Sequence, residues 1–540
     1  MRQRLWKDAA MLSSVVGVSR VLGLVREMVF SALFGASGSV LSDAFFVAYR
    51  IPNLFRTLLV DGVLSASLVT TFSATLEQEG LKRLWVLAGR VINWLSLLVG
   101  GLVLFGIFQA RWIVNLVAPG FANTPEKDAL TAQLTQLLWP FLFFLSLASV
   151  ARGVLNAQDR YRPIALSQLL FNLSCFVVGI PLAWLLDPSF GRPAIFGWAT
   201  GVLLGGAAQA LVLFPLLFRS GFRLRLELTF QDPGLRRILR LMAPSILGAA
   251  ATPINLVVNE RFASTIANGA VSWLYYAYRL IHLPLGIFSY AIATVSVPSL
   301  SRAAARGDQE TFRRELSSAL RLILFLFLPT MAGMIVLAEP IAAVVYRRGR
   351  FSALDAEMVA QAIRFYALGL IPFGANGLLA MALYALDDAR RPSLISLFSI
   401  GTNFLLGWTA TYRLGWGHWG LALALSLFAW INGGLLLLAL RHHVGPLRGY
   451  GLSREGGKSL LAAAGMAGAT WAVQSVLGAV LPLDRFFGAL LILLGAGTVG
   501  LWVFYEVTRR LHAQELSVVL GLLRRRRPRR SSPQNKEPEQ

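Results

Sequence analysis

The sequence is poor in most of what soluble chemistry uses. Its 540 residues include one cysteine and five histidines. That is too few for a thiolate cluster or a disulfide framework, and the lone Cys175 lies inside an apolar run. Acidic residues number 27 against 50 Lys and Arg, and charged residues make up only 14% of the chain, well below the roughly 25% of a soluble domain. No P-loop and no H-E-x-x-H helix occurs, so neither ATP hydrolysis nor zinc-peptidase chemistry is expected. Gly415-Trp416-Gly417-His418-Trp419-Gly420 has the glycine spacing of a dinucleotide loop, but it follows an apolar run rather than a strand. Asn172-Leu173-Ser174 is a glycosylation sequon set in mid-run, where no glycosylating enzyme reaches.

What the chain has in quantity is apolar surface. Hydrophobic residues are 56% of the total, and runs of about 18 or more recur from end to end, the mark of membrane-spanning helices. Soluble enzymes, disordered proteins and disulfide scaffolds are excluded. Apolar runs read against turn and charge signals give fourteen spans, near 10–33, 44–72, 84–109, 130–155, 162–186, 194–218, 238–263, 272–300, 318–340, 357–384, 392–412, 418–440, 459–482 and 486–508. An all-α polytopic membrane protein is expected, because open sheet edges do not survive in lipid and no barrel-type alternation is present.

The net charge of +23 would suggest nucleic acid in a soluble chain; in a membrane chain it follows from loops that collect Lys and Arg. The N-terminus and alternate loops hold about 35 of the bases, among them Arg2, Arg4, Lys7, Arg219, Arg223, Arg225, Arg236, Arg237 and Arg240, and the other loops hold about 9. That asymmetry places both termini in the cytoplasm. Arg347, Arg348 and Arg350 are the exception on the outer side. Arg20 interrupts the first apolar stretch, which argues for an uncleaved span rather than a signal peptide. The tail from Arg524 to Arg530, ending Ser/Pro/Glu-rich, reads as a disordered cytoplasmic segment near anionic lipid.

The chain also repeats itself. Ala48-Tyr49-Arg50 recurs as Ala277-Tyr278-Arg279, 229 residues on, and Asp159-Arg160-Tyr161-Arg162-Pro163 aligns at the same offset with Asp388-Ala389-Arg390-Arg391-Pro392. Two matches at one offset indicate duplication. The offset contains six spans, an even number, so the copies are parallel repeats with a cleft between two lobes. The expected organisation is a six-helix lobe over 1–225, a second over 226–445, two further helices over 446–510 and a basic tail over 511–540.

Arg20, Arg26, Arg50, Arg56, Arg279 and Arg364 fall inside the spans. One arginine at the bilayer centre costs about 2.5–3.5 kcal/mol on an insertion scale, so several facing lipid would cost as much as a domain's stability. They face a watery interior, pair with acids or snorkel to an interface. Arg20 and Arg26 are six residues apart, as are Arg50 and Arg56, which sets each pair about 120° apart on a helix. Gly17, Gly23 and Pro52 are positions where bending would let both members line a broad cavity. The acids available, Glu27, Asp43 and Asp61, are fewer, so the cavity would take an anion, phosphate above all. His282, one turn beyond Arg279, reads as a packing residue.

Ser19-Arg20-Val21-Leu22-Gly23-Leu24-Val25-Arg26-Glu27 resembles the opening of the MurJ (MviN) family of lipid II flippases, as do Phe34-Gly35-Ala36, Ser42-Asp43-Ala44-Phe45-Phe46, Ile51-Pro52-Asn53-Leu54-Phe55-Arg56 and Asp61-Gly62. Ser272-Trp273-Leu274-Tyr275-Tyr276-Ala277-Tyr278-Arg279-Leu280 and Leu283-Pro284-Leu285-Gly286 are similar to the family's eighth span. The resemblance implies an exporter of the MOP superfamily that moves lipid-linked peptidoglycan precursor across the bacterial inner membrane. It also implies that Arg20, Arg26, Arg56 and Arg279 are needed in the cavity, that Asp43 is important, and that the last two helices form an apolar groove for the lipid tail. Tyr278 stands where many members carry Asp, and Asp61 where Glu is common. A monomer without ATP or cofactor is expected, with lipid II and membrane lipids as partners and a coupling ion whose identity the sequence leaves open. Four alternatives are an exporter of another lipid-linked oligosaccharide, a cation-drug antiporter, which would favour intramembrane acids, a membrane-embedded enzyme acting on polyprenyl diphosphates, and a non-transporting scaffold, which would not explain buried arginines. The enzyme would need an acid cluster; Asp387-Asp388, the one adjacent pair, reads as helix-end ion pairing beside Arg390 and Arg391.

Overall fold

A computed structural model describes the backbone of residues 2–447, 449–483 and 485–524, and side chains within them except at 2–14, 16, 61–63, 243–252 and 522–524. Asp61, the N-terminal bases Arg2, Arg4 and Lys7, and the Arg524–Arg530 tail therefore lie outside the described side chains. No strand occurs among the described residues. The first half comprises α1 (Arg2–Phe34), α2 (Leu41–Phe55), α3 (Ser65–Phe108), α4 (Ala110–Val117), α5 (Pro125–Ala157), α6 (Tyr161–Ser174), α7 (Ile180–Leu186) and α8 (Arg192–Arg219). The second comprises α9 (Pro233–Ala263), α10 (Ala270–Ala305), α11 (Gln309–Val336), α12 (Ala338–Tyr346), α13 (Ala353–Ala367), α14 (Leu370–Ala385), α15 (Arg390–Trp408) and α16 (His418–Val444). Then come α17 (Leu452–Val480), α18 (Phe486–Arg510) and α19 (Gln514–Arg524).

Ten helices among the described residues are long and apolar enough to cross a membrane, or eleven with α13 and α14, bent by 46°, taken as one span. This measure does not reach the expected fourteen. One of the ten is the continuous stretch Leu41–Phe108 of 68 residues, about 100 Å at 1.5 Å per residue. It breaks at Gly80, whose φ of 81° and ψ of 178° are not helical, as the spans 44–72 and 84–109 require. α1 and α9, at two further expected spans, include residues whose side chains are not described. Large apolar side chains such as Leu97, Leu98, Leu104, Phe105 and Phe108 face outward on α3, as lipid-facing helices do.

The duplication is visible in the helix boundaries. An offset of 229 carries the first residue of α2 onto that of α10, and the first residue of α6 onto that of α15. π-helical segments at Cys175–Gly179 and Thr409–Arg413 follow α6 and α15 in turn. Asp159 and Asp387, in the turns before those helices, both take positive φ, 57° and 60°. Asp388 accepts a bond from the Arg391 amide and pairs with Arg391 and His443, the helix-end role expected of it.

Packing follows the repeat. α5 rests on α2, α3 and α8, and α6 on α1 and α8, while α10 rests on α11, α13 and α14, and α16 on α13, α14 and α15. α17 and α18 form a pair against α11 and α12. The glycine stripe Gly197, Gly201 and Gly205 lets α8 press on its neighbours: an added Cβ would strike the backbone at Ala183, Gly179 and Phe171 respectively. Arg347, Arg348 and Arg350 bond backbone carbonyls. Arg347 reaches Leu483, Arg348 reaches Val344, and Arg350 reaches Ser189 and Phe190.

Asp232 caps α9, accepting from the Gly234 and Leu235 amides, and binds both Arg83 and Arg90 of α3 at 2.9 and 2.6 Å. Burial alone would raise its carboxyl pKa; the two arginines and the Gly234 amide outweigh that and hold it below the usual value. A depressed carboxylate contributes stability above its unfolded pKa of about 3.9, and that contribution is lost as pH falls through the folded value. The gap in unfolding midpoint between the protein and Asp232→Asn should thus hold steady from pH 7 to about 5 and close below about pH 4. A gap that does not change with pH would contradict this.

Candidate functional site

Six arginines converge on one cavity of about 680 Å³: Arg20, Arg26, Arg50, Arg56, Arg152 and Arg279. α1 supplies the first two, α2 supplies Arg50, Arg56 follows α2 at the start of the π-helical segment Arg56–Leu64, α5 supplies Arg152 and α10 supplies Arg279. Ser19, Asn53, Gln168, Asn172 and Tyr275 add polar groups, and none of the described lining residues is acidic. α1 runs unbroken through Gly17 and Gly23, so the first arginine pair needs no kink. Gly23 serves by its size instead: a Cβ there would lie 3.2 Å from the Arg279 guanidinium.

Two of the arginines, Arg50 and Arg279, are held from behind by carboxylates of the opposite half. Glu27 on α1 pairs with Arg279 on α10 at 3.4 Å and with its neighbour Arg26 at 3.2 Å, and accepts the Tyr275 hydroxyl. Glu260 on α9 pairs with Arg50 on α2 at 2.7 Å. Arg50 and Arg279 are equivalent under the repeat, so each half anchors the other's arginine. Arg26 is also set over the Phe171 ring at 5.1 Å, and Arg50 over Tyr275 at 5.6 Å. Arg26 is nearly buried, its side chain 11% exposed, whereas Arg279 keeps 42% open to the cavity. Arg20 reaches the Gly286 carbonyl at 3.4 Å and Arg152 reaches Gln209 at 3.4 Å.

A pseudo-two-fold axis runs beside this layer. Phe46 and Tyr275, equivalent residues, stack at 4.0 Å, and beyond them the Asp43 carboxylate accepts from the amide and hydroxyl of Ser272, its own equivalent, at 2.9 and 2.6 Å. Asp43 does not line the cavity. It is fully buried, and it also accepts from Lys127 at 2.7 Å and the Gly269 amide at 2.8 Å, so it caps α10 from across the axis. Asp355 makes a second tie there, accepting from the Ser37 amide and hydroxyl and from Trp273 Nε1.

Of the other sequence candidates, Arg364 lies apart, 3.9 Å from Glu339 of α12, and His282 lines the cavity with its ring 4.0 Å from Tyr278. Arg152 also lines the cavity; it does not stand out in the sequence, since it lies near the end of the span 130–155, where a charge is ordinary. Asn172, noticed only as a sequon, donates to the Ser19 carbonyl at 3.1 Å and forms part of the wall.

The family model described as lipid II flippase MurJ matches residues 30–486. The chain belongs to this family. A probable lipid II flippase MurJ of Vibrio cholerae is 32% identical over 447 residues, covering 81% of this chain and 83% of its own. A lipid II flippase MurJ of Burkholderia cenocepacia is 30% identical over 441 residues, 81% and 84%. Among solved structures, a lipid II flippase MurJ in an inward closed conformation has the same fold, with a TM-score of 0.74 over 93% of this chain and 99% of that one at 24% identity. A multidrug resistance MATE family transporter of the MOP superfamily is a more distant fold relative, with a TM-score of 0.60, 15% identity and coverage of 78% and 99%. The chain is thus a multi-span helical member of a transporter family. Tyr278 packs on His282 and Tyr366, and Glu27 is the carboxylate that holds Arg279.

Proposed function

We propose that this chain flips lipid II, the lipid-linked peptidoglycan precursor, from the cytoplasmic to the outer leaflet of the bacterial inner membrane. The observation that carries this reading is the convergence of six arginines on one cavity with no carboxylate among the described lining residues, in a chain of the MurJ family. A diphosphate-sugar headgroup cannot cross about 30 Å of hydrocarbon unaided. Arg20, Arg26, Arg56 and Arg279, with Arg50 and Arg152, replace its water by charge-assisted hydrogen bonds, while the polyprenyl tail stays in lipid.

The phosphates compete with Glu27 and Glu260 for Arg279 and Arg50. That weakens two ties between the lobes 1–225 and 226–445 and favours their rocking to the outward-open state. Asp43 acts at the closed end, as part of the gate rather than of the headgroup site. Helices 446–510 accompany the second lobe, 511–540 forms a cytoplasmic tail, and both termini lie in the cytoplasm. A negative interior assists outward movement of the anion by about 2.3 kcal/mol per charge per 100 mV. The working unit is a monomer that uses no ATP.

The test is complementation of bacteria depleted of their own lipid II flippase. Growth and outward appearance of lipid II are the expected result. A protein present at normal membrane levels that fails to rescue would turn the assignment toward another lipid-linked oligosaccharide.

A further inference from the structure

The segment after α8 carries a second group of bases that the central cavity does not use. Residues 222–229 form no helix and are strapped along α3. Asn93 donates to the carbonyls of Arg225 and Glu227 at 2.6 and 3.3 Å, Trp94 Nε1 donates to that of Thr229 at 3.1 Å, and Phe222 packs on Trp85. Between strap and helix lies a recess of about 270 Å³ whose lining includes Lys82, Trp85, Arg90, Arg223, Arg225 and Glu227. Arg90 is taken up by Glu227 and Asp232. Lys82, Arg223 and Arg225 are exposed and make no ion pair among the described residues.

The alternate side chains of the strap are apolar and uncovered: Leu224, Leu226 and Leu228 are 45%, 92% and 61% exposed, and none of them lines the recess. One side of the strap is therefore basic and the other greasy, a pattern that suits the boundary between headgroups and acyl chains. Its level in the membrane agrees. The part of α3 after Gly80, up to Phe108, is about 42 Å long against about 30 Å of hydrocarbon. The excess of about 12 Å carries an end of this helix among the headgroups. Since the exposed apolar residues Leu97, Leu98, Leu104, Phe105 and Phe108 lie toward the far end, that end is the first turns, where the recess lies. An indole such as Trp85 is at home at that depth.

We propose that this recess binds the phosphate headgroup of an anionic phospholipid from the leaflet it faces. Lys82, Arg223 and Arg225 hold the phosphate, and Leu224, Leu226 and Leu228 enter the acyl boundary. A lipid seated there braces the strap that, through Asp232, keeps α9 against α3 where the halves join.

Native mass spectrometry of the detergent-purified full chain, titrated with phosphatidylglycerol or phosphatidylcholine, tests it. Phosphatidylglycerol should be retained in preference. The Lys82→Ala/Arg223→Ala/Arg225→Ala variant should lose that retention about a hundredfold, whereas Lys82→Arg/Arg223→Lys/Arg225→Lys and the cavity variant Arg279→Ala should keep it. Glycerol 3-phosphate should fail to displace the lipid. Equal retention by the triple alanine variant, equal retention of phosphatidylcholine, or loss in Arg279→Ala instead would overturn the proposal, and displacement by glycerol 3-phosphate would assign the recess to a soluble anion. Circular dichroism melting confirms that the compared variants are folded.

Discussion

Replacing Lys127 by alanine is expected to lower stability by about 3–5 kcal/mol, the cost of leaving a buried charge without its partner. Lys127 and Asp43 are 3% and 1% exposed and 2.7 Å apart. Without the ammonium, the Asp43 carboxylate keeps only neutral donors, the Gly269 and Ser272 amides and the Ser272 hydroxyl. Lys127 also bonds Asn268 and lies over the Phe121 ring at 4.1 Å, so the loss touches three elements at once. Unfolding in detergent, followed in a double-mutant cycle with Asp43→Asn, checks the claim. The double variant should be less damaged than the sum of the two single ones, because the stranded charge is then absent. Strict additivity would mean that the pair does not act as a unit.

Arg26→Ala and Arg279→Ala should each reduce lipid II export about ten- to a hundredfold at matched membrane levels. A charge-assisted hydrogen bond is worth about 1.5–3 kcal/mol net, and each 1.4 kcal/mol is a factor of ten. Arg26→Lys should recover little, since an ammonium keeps the charge but loses the planar fork that binds diphosphate and stacks on Phe171. Arg364→Ala should leave export unchanged, because that side chain lies beside Glu339 outside the cavity. Full activity in Arg279→Ala would remove the arginines from the headgroup site.

The arginines were legible in the sequence because a charge in an apolar run must find water, an acid or an interface, and five of the six so marked line the cavity while Arg364 does not. Helix type and the duplication were legible for a similar reason: both are written in local pattern, and the offset of 229 recurs in the starts of α10 and α15. Asp43 was not legible in the same way. Seven residues from Arg50 on one helix, it shares a face by spacing, yet its ligands come from Lys127, Gly269 and Ser272, and no local signal marks a contact made across a symmetry axis. Glu260 and Arg152 were hidden likewise: one sits at the end of a span beside Arg261, the other near a span end, positions where a charge is ordinary. The span count fell short by composition because apolarity does not register the break at Gly80 inside Leu41–Phe108, and because α1 and α9 include residues whose side chains are not described.

The measurement that bears most directly on the arginine cavity is equilibrium binding of lipid II to the purified protein, to Arg26→Ala and Arg279→Ala, and to Arg364→Ala as the control outside the cavity. Affinity should fall about ten- to a hundredfold in the first two and hold in the control. Equal affinity across all four would contradict a headgroup site built from these arginines.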